Sequence, residues 1–265
     1  MTASKGLRRT LSYVHRVRLS RANFQGKLKA ILGTTSIVWM PKITDTTTAV
    51  SDDSVGHTFT WDATVAARLS ALRNGVAQSF DGVGQYGTTV DAADLSFGNG
   101  AADSAFSIVA LANVTDTAAV REFLTKWSGA GGREWEISIT AADVLSLRVF
   151  DDSAAVGAVR NSDSAITQGS WRLFGASYDG TGGATAANGM TLYQDGAVIA
   201  STATNNASYV AMENLGSACE IGSIIVHTTN FFAGSMAMVL LCQKALSATE
   251  HSTIAKLCHQ FYGVP

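Results

Sequence analysis

The chain has 265 residues, of which 46% are hydrophobic and 15% charged, with a net charge of −2, enough for one large domain with an appendage or two small ones. No apolar run approaches the ~20 residues of a membrane span, and no signal-peptide stretch follows the N-terminal bases. Three cysteines (Cys219, Cys242, Cys258), an odd number without a close-spaced pair, suggest neither a disulfide scaffold nor a zinc site.

Charge is unevenly spread. Residues 1–32 hold eight bases (Lys5, Arg8, Arg9, Arg16, Arg18, Arg21, Lys27, Lys29) and no acid. The remainder carries 11 bases against 21 acids, a balance of −10. A basic arm on an acidic body points to an electrostatic partner. In the arm, Leu7, Leu11 and Val14, and again Phe24, Leu28 and Ile31, fall at helical spacing. Ser20 is placed to cap the second helix and Gly33 to end it. The expected division is a helical docking arm over 1–33 and a body over 34–265.

From Thr34 onward short β-rich runs alternate with Gly, Asn, Asp and Ser clusters. The expected strands are 36–40, 57–61, 77–80, 87–90, 105–112, 121–127, 135–140, 144–150, 172–178, 190–194, 197–203, 220–225 and 235–241. Three Asp-Gly pairs, Asp81-Gly82, Asp179-Gly180 and Asp195-Gly196, follow strand-ending aromatics and suit tight turns. Strands spaced by roughly ten residues predict an all-β sandwich of two antiparallel sheets. A parallel α/β fold has no room for its helices. Ser247-Ala248-Thr249-Glu250 is a capping box that starts a C-terminal helix, with Ile254, Leu257, Cys258 and Phe261 on one apolar face.

These pieces resemble the concanavalin A-like lectin and glucanase superfamily, in particular its laminin G-like domains. The matching segments include Phe80-Asp81-Gly82-Val83-Gly84-Gln85-Tyr86, Ala105-Phe106-Ser107-Ile108-Val109-Ala110, the run from Trp171 to Gly180, Leu192-Tyr193-Gln194-Asp195-Gly196 and the run from Ala245 to Glu250. The resemblance implies a jelly roll of two curved sheets. The same fold hosts lectins, hydrolases, adhesion modules and virion proteins, and the short helical lead resembles bacteriophage structural proteins.

Hydrolases of this superfamily carry two catalytic acids on one strand. Glu134-Trp135-Glu136 begins that pattern, but Ile137 to Thr140 do not complete it, so Glu134 and Glu136 are expected to face solvent and no catalytic residue is assigned. Calcium is implied by the resemblance, with Asp52, Asp53 and Asp81 as oxygen ligands; against it, an Asp-Gly aspartate commonly bonds its own backbone. Trp127 and Trp135 bracket the loop 128–134 and are the candidate glycan platforms. A core role for both rings competes with that reading, since aromatics bury large areas.

The expected function is a non-catalytic structural or interaction protein of a virion, a capsid decoration or tail component made in the host cytoplasm. It would dock through its arm, form homo-oligomers or join other structural proteins, and display the sandwich. A carbohydrate-binding adhesin is the alternative, nucleic acid is a further partner for the arm, and no membrane is expected.

Overall fold

The computed structural model describes residues 19–42, 48–50, 56–62, 69–116 and 118–264. Lys5, Arg8, Arg9, Arg16, Arg18, Asp52 and Asp53 lie outside the described residues. Helix α1 (Arg21–Leu32) is followed by strands β1 (Thr35–Trp39), β2 (Thr48–Val50), β3 (Thr58–Trp61), β4 (Leu69–Ala71), β5 (Val76–Asp81) and β6 (Gly87–Thr89). The middle of the chain forms β7 (Phe106–Val114), β8 (Arg121–Trp127), β9 (Arg133–Ile139), β10 (Leu145–Asp151), β11 (Val156–Ser162) and β12 (Trp171–Tyr178). Then come β13 (Met190–Gln194), β14 (Ala197–Val198), β15 (Ser201–Thr204), β16 (Cys219–Ile221), β17 (Ala233–Cys242) and helix α2 (Ala248–Tyr262).

The strands form the expected sandwich. One sheet runs β14-β13-β12-β7-β17-β5-β4, with β1 pairing with β17; the other runs β15-β11-β10-β9-β8-β16-β6-β3-β2. Every strand pair is antiparallel. The segment 197–203 is two strands, not one. Ala197–Val198 pairs with β13 in the first sheet and Ser201–Thr204 pairs with β11 in the second. Of the three Asp-Gly pairs, only Asp195-Gly196 makes a two-residue hairpin, between β13 and β14, with both residues at positive φ (52° and 80°). The other two open longer connections.

Alternation along β7 shows how the core divides. Phe106, Ile108, Ala110 and Ala112 face the second sheet, while Val109 and Leu111 face outward. Along β17, Met236, Val239 and Leu241 point inward, and Met238, Leu240 and Cys242 point outward. The outward set is covered by the two helices. Phe24, Leu28 and Leu32 of α1 and Ile254, Cys258 and Phe261 of α2 are fully buried in that layer.

α1 is capped by Ser20, whose hydroxyl accepts from the Asn23 amide, and it ends at Gly33. Phe24 stacks on Phe261 with ring centroids 4.5 Å apart. Arg21, counted among the arm's bases, donates to the carbonyls of Met40 and Pro41 at 2.7 and 2.9 Å, whereas Lys27 and Lys29 are exposed. Both bonds of the capping box on α2 are present, and Tyr262 donates from its hydroxyl to the Ala237 carbonyl of β17 at 2.8 Å. Gly175 on β12 leaves room for the His251 ring, which a Cβ there would meet at 2.8 Å. His251 stacks on Tyr193 and bonds Ser177, and burial pushes its pKa down to about 4.

Phe24 fills a site closed by both helices, so Phe24→Ala is expected to lower the unfolding free energy by about 3–5 kcal/mol in urea titrations. Lys27→Ala, on the exposed face of the same helix, is expected to change it by no more than about 0.5 kcal/mol.

Candidate functional site

The second sheet has one face turned away from the core, and β8, β9 and β10 form its middle. On β9, Trp135, Ile137 and Ile139 point into the core, so Glu136 and Ser138 point out. On β10, Leu145, Leu147 and Val149 are core, which turns Ser146 and Arg148 out. The register sets Arg148 opposite Glu136 and Ser146 opposite Ser138. A groove of about 210 Å³ lies over this patch, lined by these four residues with Trp127, Thr140, Ile224, Ile225 and Asn230 among the others.

The far wall is the loop between β16 and β17. Its residues Ile225, Val226 and His227 stand consecutively in the left-handed region, with φ of 57°, 52° and 50°. For β-branched residues that conformation costs roughly 1–2 kcal/mol each. Several bonds hold it. The Glu220 carboxylate accepts from the His227 amide at 2.9 Å and from the Ser223 hydroxyl. The Ile225 amide donates to the Trp127 carbonyl at 3.0 Å, and the His227 ring stacks on Tyr86 at 4.1 Å. The tip leaves Val226 51% exposed.

Beneath the groove lies Glu122, fully buried on β8 opposite Ser138. A β-bulge separates it from Leu124. Asn230 donates to its Oε1 at 3.0 Å, while Oε2 has no hydrogen-bond partner among the described residues. Burial, then the nearby Glu136 carboxylate, hold the Glu122 carboxyl well above the usual range. Glu136 is also shifted up by burial, against the pull of Arg148, whose Nη1 is 3.2 Å from its Oε1.

Trp127 belongs to the groove, 7% exposed, edge-to-face with Phe150 at 4.9 Å and 5.7 Å from the Arg148 guanidinium. Trp135 does not. It is fully buried against Phe97 and Phe106, and its indole N–H donates to the Leu95 carbonyl at 2.9 Å. The expectation of a platform there is corrected: the ring has no free face.

The expectation that Glu134 and Glu136 face solvent is also corrected, since their exposures are 0% and 6%. Glu134 is ion-paired at 2.5 Å with Lys126, itself fully buried, and accepts from the Leu215 amide. Asp81 accepts from the amides of Val83 and Gly84 within its own turn. Among the described residues no three His, Cys, Asp or Glu side chains are placed to hold a metal ion.

A family model of the concanavalin A-like lectin/glucanase superfamily, Laminin_G_3, matches residues 81–250. The chain belongs to this superfamily. A search of curated proteins found no match. Among solved structures, the ligand-binding domain of botulinum neurotoxin serotype D in complex with N-acetylneuraminic acid is similar at 11% identity and TM-score 0.63, covering 86% of this chain and 52% of that one. The binding domain of Paraclostridial Mosquitocidal Protein 1 aligns at 12% identity and TM-score 0.63, with 86% and 52% covered. The botulinum serotype G binding domain gives 12%, 0.59, 82% and 51%. At these identities the likeness is one of fold, and the chain spans about half the length of those structures. No helix among the described residues is long and apolar enough to cross a membrane.

The raised carboxyl of Glu122 gives a pH signature. A buried acid of this kind adds stability below its ordinary pKa and withdraws it as pH rises toward the shifted value. The urea midpoint of the wild type is therefore expected to fall more steeply than that of Glu122→Gln as pH rises above the ordinary carboxylate range.

Proposed function

We propose that this chain is a non-catalytic binding module that holds a glycan in the groove over β8, β9 and β10. The observation that carries the reading is the groove itself: three hydroxyls (Ser138, Thr140, Ser146), an ion pair and an indole on the exposed face of a lectin-like sheet. Sugars are bound by that mixture of hydrogen-bonding groups and an aromatic wall. The solved relative with N-acetylneuraminic acid supports a glycan ligand.

Glu122 and Glu136 lie on the face where a glycosidase of this superfamily would carry its acids. A hydrolase needs two carboxyl groups flanking the bond, roughly 5–9.5 Å apart and open to substrate. Glu122 is fully covered and Glu136 is tied to Arg148, which favours binding over hydrolysis.

The reading keeps a second element: membership of a larger particle such as a bacteriophage virion, reached through the N-terminal arm. It is supported by the bases at positions 5, 8, 9, 16 and 18 and the lack of acids there. Arg21 is occupied by carbonyls of the body, so docking falls to residues 1–18 and the exposed Lys27 and Lys29. Homo-oligomers or neighbouring structural proteins are the partners.

On a glycan array, Trp127→Ala is expected to lose at least about tenfold in retention, equal to about 1.4 kcal/mol, with its melting temperature measured alongside. Native mass spectrometry tests the arm: the full chain should assemble, and a chain lacking residues 1–18 should be monomeric yet still retain glycan. A monomeric full chain would remove the homo-oligomer and leave neighbouring structural proteins as the arm's partners.

A further inference from the structure

The charges around the groove limit which glycans fit it. Among the described residues Arg148 is the one basic side chain lining the groove, and its Nη1 meets Glu136 Oε1 at 3.2 Å. Other cations of the same strands are occupied elsewhere. Arg133 pairs with Asp152, and Arg121 pairs with Asp116 and donates to the Phe231 carbonyl. Lys126 is sealed between Glu134 and Asp91.

A sugar carboxylate is best held by a guanidinium that can turn its fork to it. Here an acidic sugar would reach Arg148 only beside the Glu136 carboxylate, which already holds one of its guanidinium nitrogens. Two like charges would then share one cation, with Glu136 only 6% exposed and poorly screened by water, an unfavourable placement. The buried Glu122 lies beneath the same patch, with Oε2 unpartnered among the described residues. Being fully covered, it is out of a ligand's reach and leaves the choice of ligand to Arg148 and Glu136. The cross-strand pair Ser138 and Ser146 suits sugar hydroxyls.

We infer that the groove selects neutral glycans over acidic ones, with Glu136 as the residue that sets the preference by neutralising Arg148. The inference rests on the glycan reading of the groove and gives it a ligand class. It also sets this chain apart from the relative crystallised with N-acetylneuraminic acid.

The test uses the full chain on an array carrying lactose and sialyllactose as a matched pair. Wild type is expected to retain lactose at least tenfold better, and Glu136→Gln, which frees Arg148, to narrow or reverse that ratio by at least tenfold. If Glu136→Gln does not fold, the wild-type ratio decides: retention of lactose less than tenfold better than that of sialyllactose would overturn the inference. Equal retention of the pair, or a preference for sialyllactose that Trp127→Ala still abolishes, would overturn the inference and leave glycan binding standing. An unchanged ratio in Glu136→Gln would overturn the role of Glu136. Retention of neither sugar, nor of any other glycan, by wild type would overturn both readings together.

Discussion

Burial of both faces of one sheet governs the architecture. β7 and β17 lie side by side in its middle, and nearly every residue of both is shielded from water. Strands of that composition cannot leave a face open, because burying apolar surface contributes roughly 25 cal/mol per Å². One face is covered by the second sheet and the other by α1 and α2, whose aromatic contacts Phe24–Phe261 and Phe24–Tyr262 close the layer. The second sheet turns polar side chains of its middle strands away from the core, where neighbouring loops and cross-strand partners largely cover them. The groove forms over that polar layer.

That surface is held by charge as well as by strand pairing. Asn230 joins the loop to Glu122 through its side chain, and its carbonyl accepts from the Glu122 amide at 3.3 Å. Glu220 gathers the left-handed turn, while Arg121 grips the Phe231 carbonyl at 2.8 Å. Backbone strain of the kind seen at Ile225, Val226 and His227 persists only where its surroundings over-determine it, and these contacts meet that condition.

Much of the fold was legible because local chemistry and tertiary demand agree. Ser247 and Glu250 announce α2, the spacing of Phe24 and Leu28 marks the buried face of α1, and Asp195-Gly196 marks its hairpin. β11 was not legible, since Gly157, Arg160 and Asn161 dilute any apolar alternation and much of the strand is half-exposed. The short β2 and β4 have too few residues for a pattern. The run through Ile225 looked like a longer strand, and nothing in β-branched residues foretells three left-handed positions in succession. Of the site, Trp127 was found from its neighbourhood. Glu122, Arg148 and Asn230 were not, because only the register of β8, β9 and β10 brings them together. Glu134 and Glu136 looked solvated because acids usually are, and their partners Lys126 and Arg148 come from neighbouring strands.

The stacking of Phe24 on Phe261 also fixes a direction for the molecule. It ties the first described helix to the last on the back of the sandwich, with two layers of strands between them and the groove. A tag, a tether or a solid support attached near either helix would therefore leave the opposite side unobstructed.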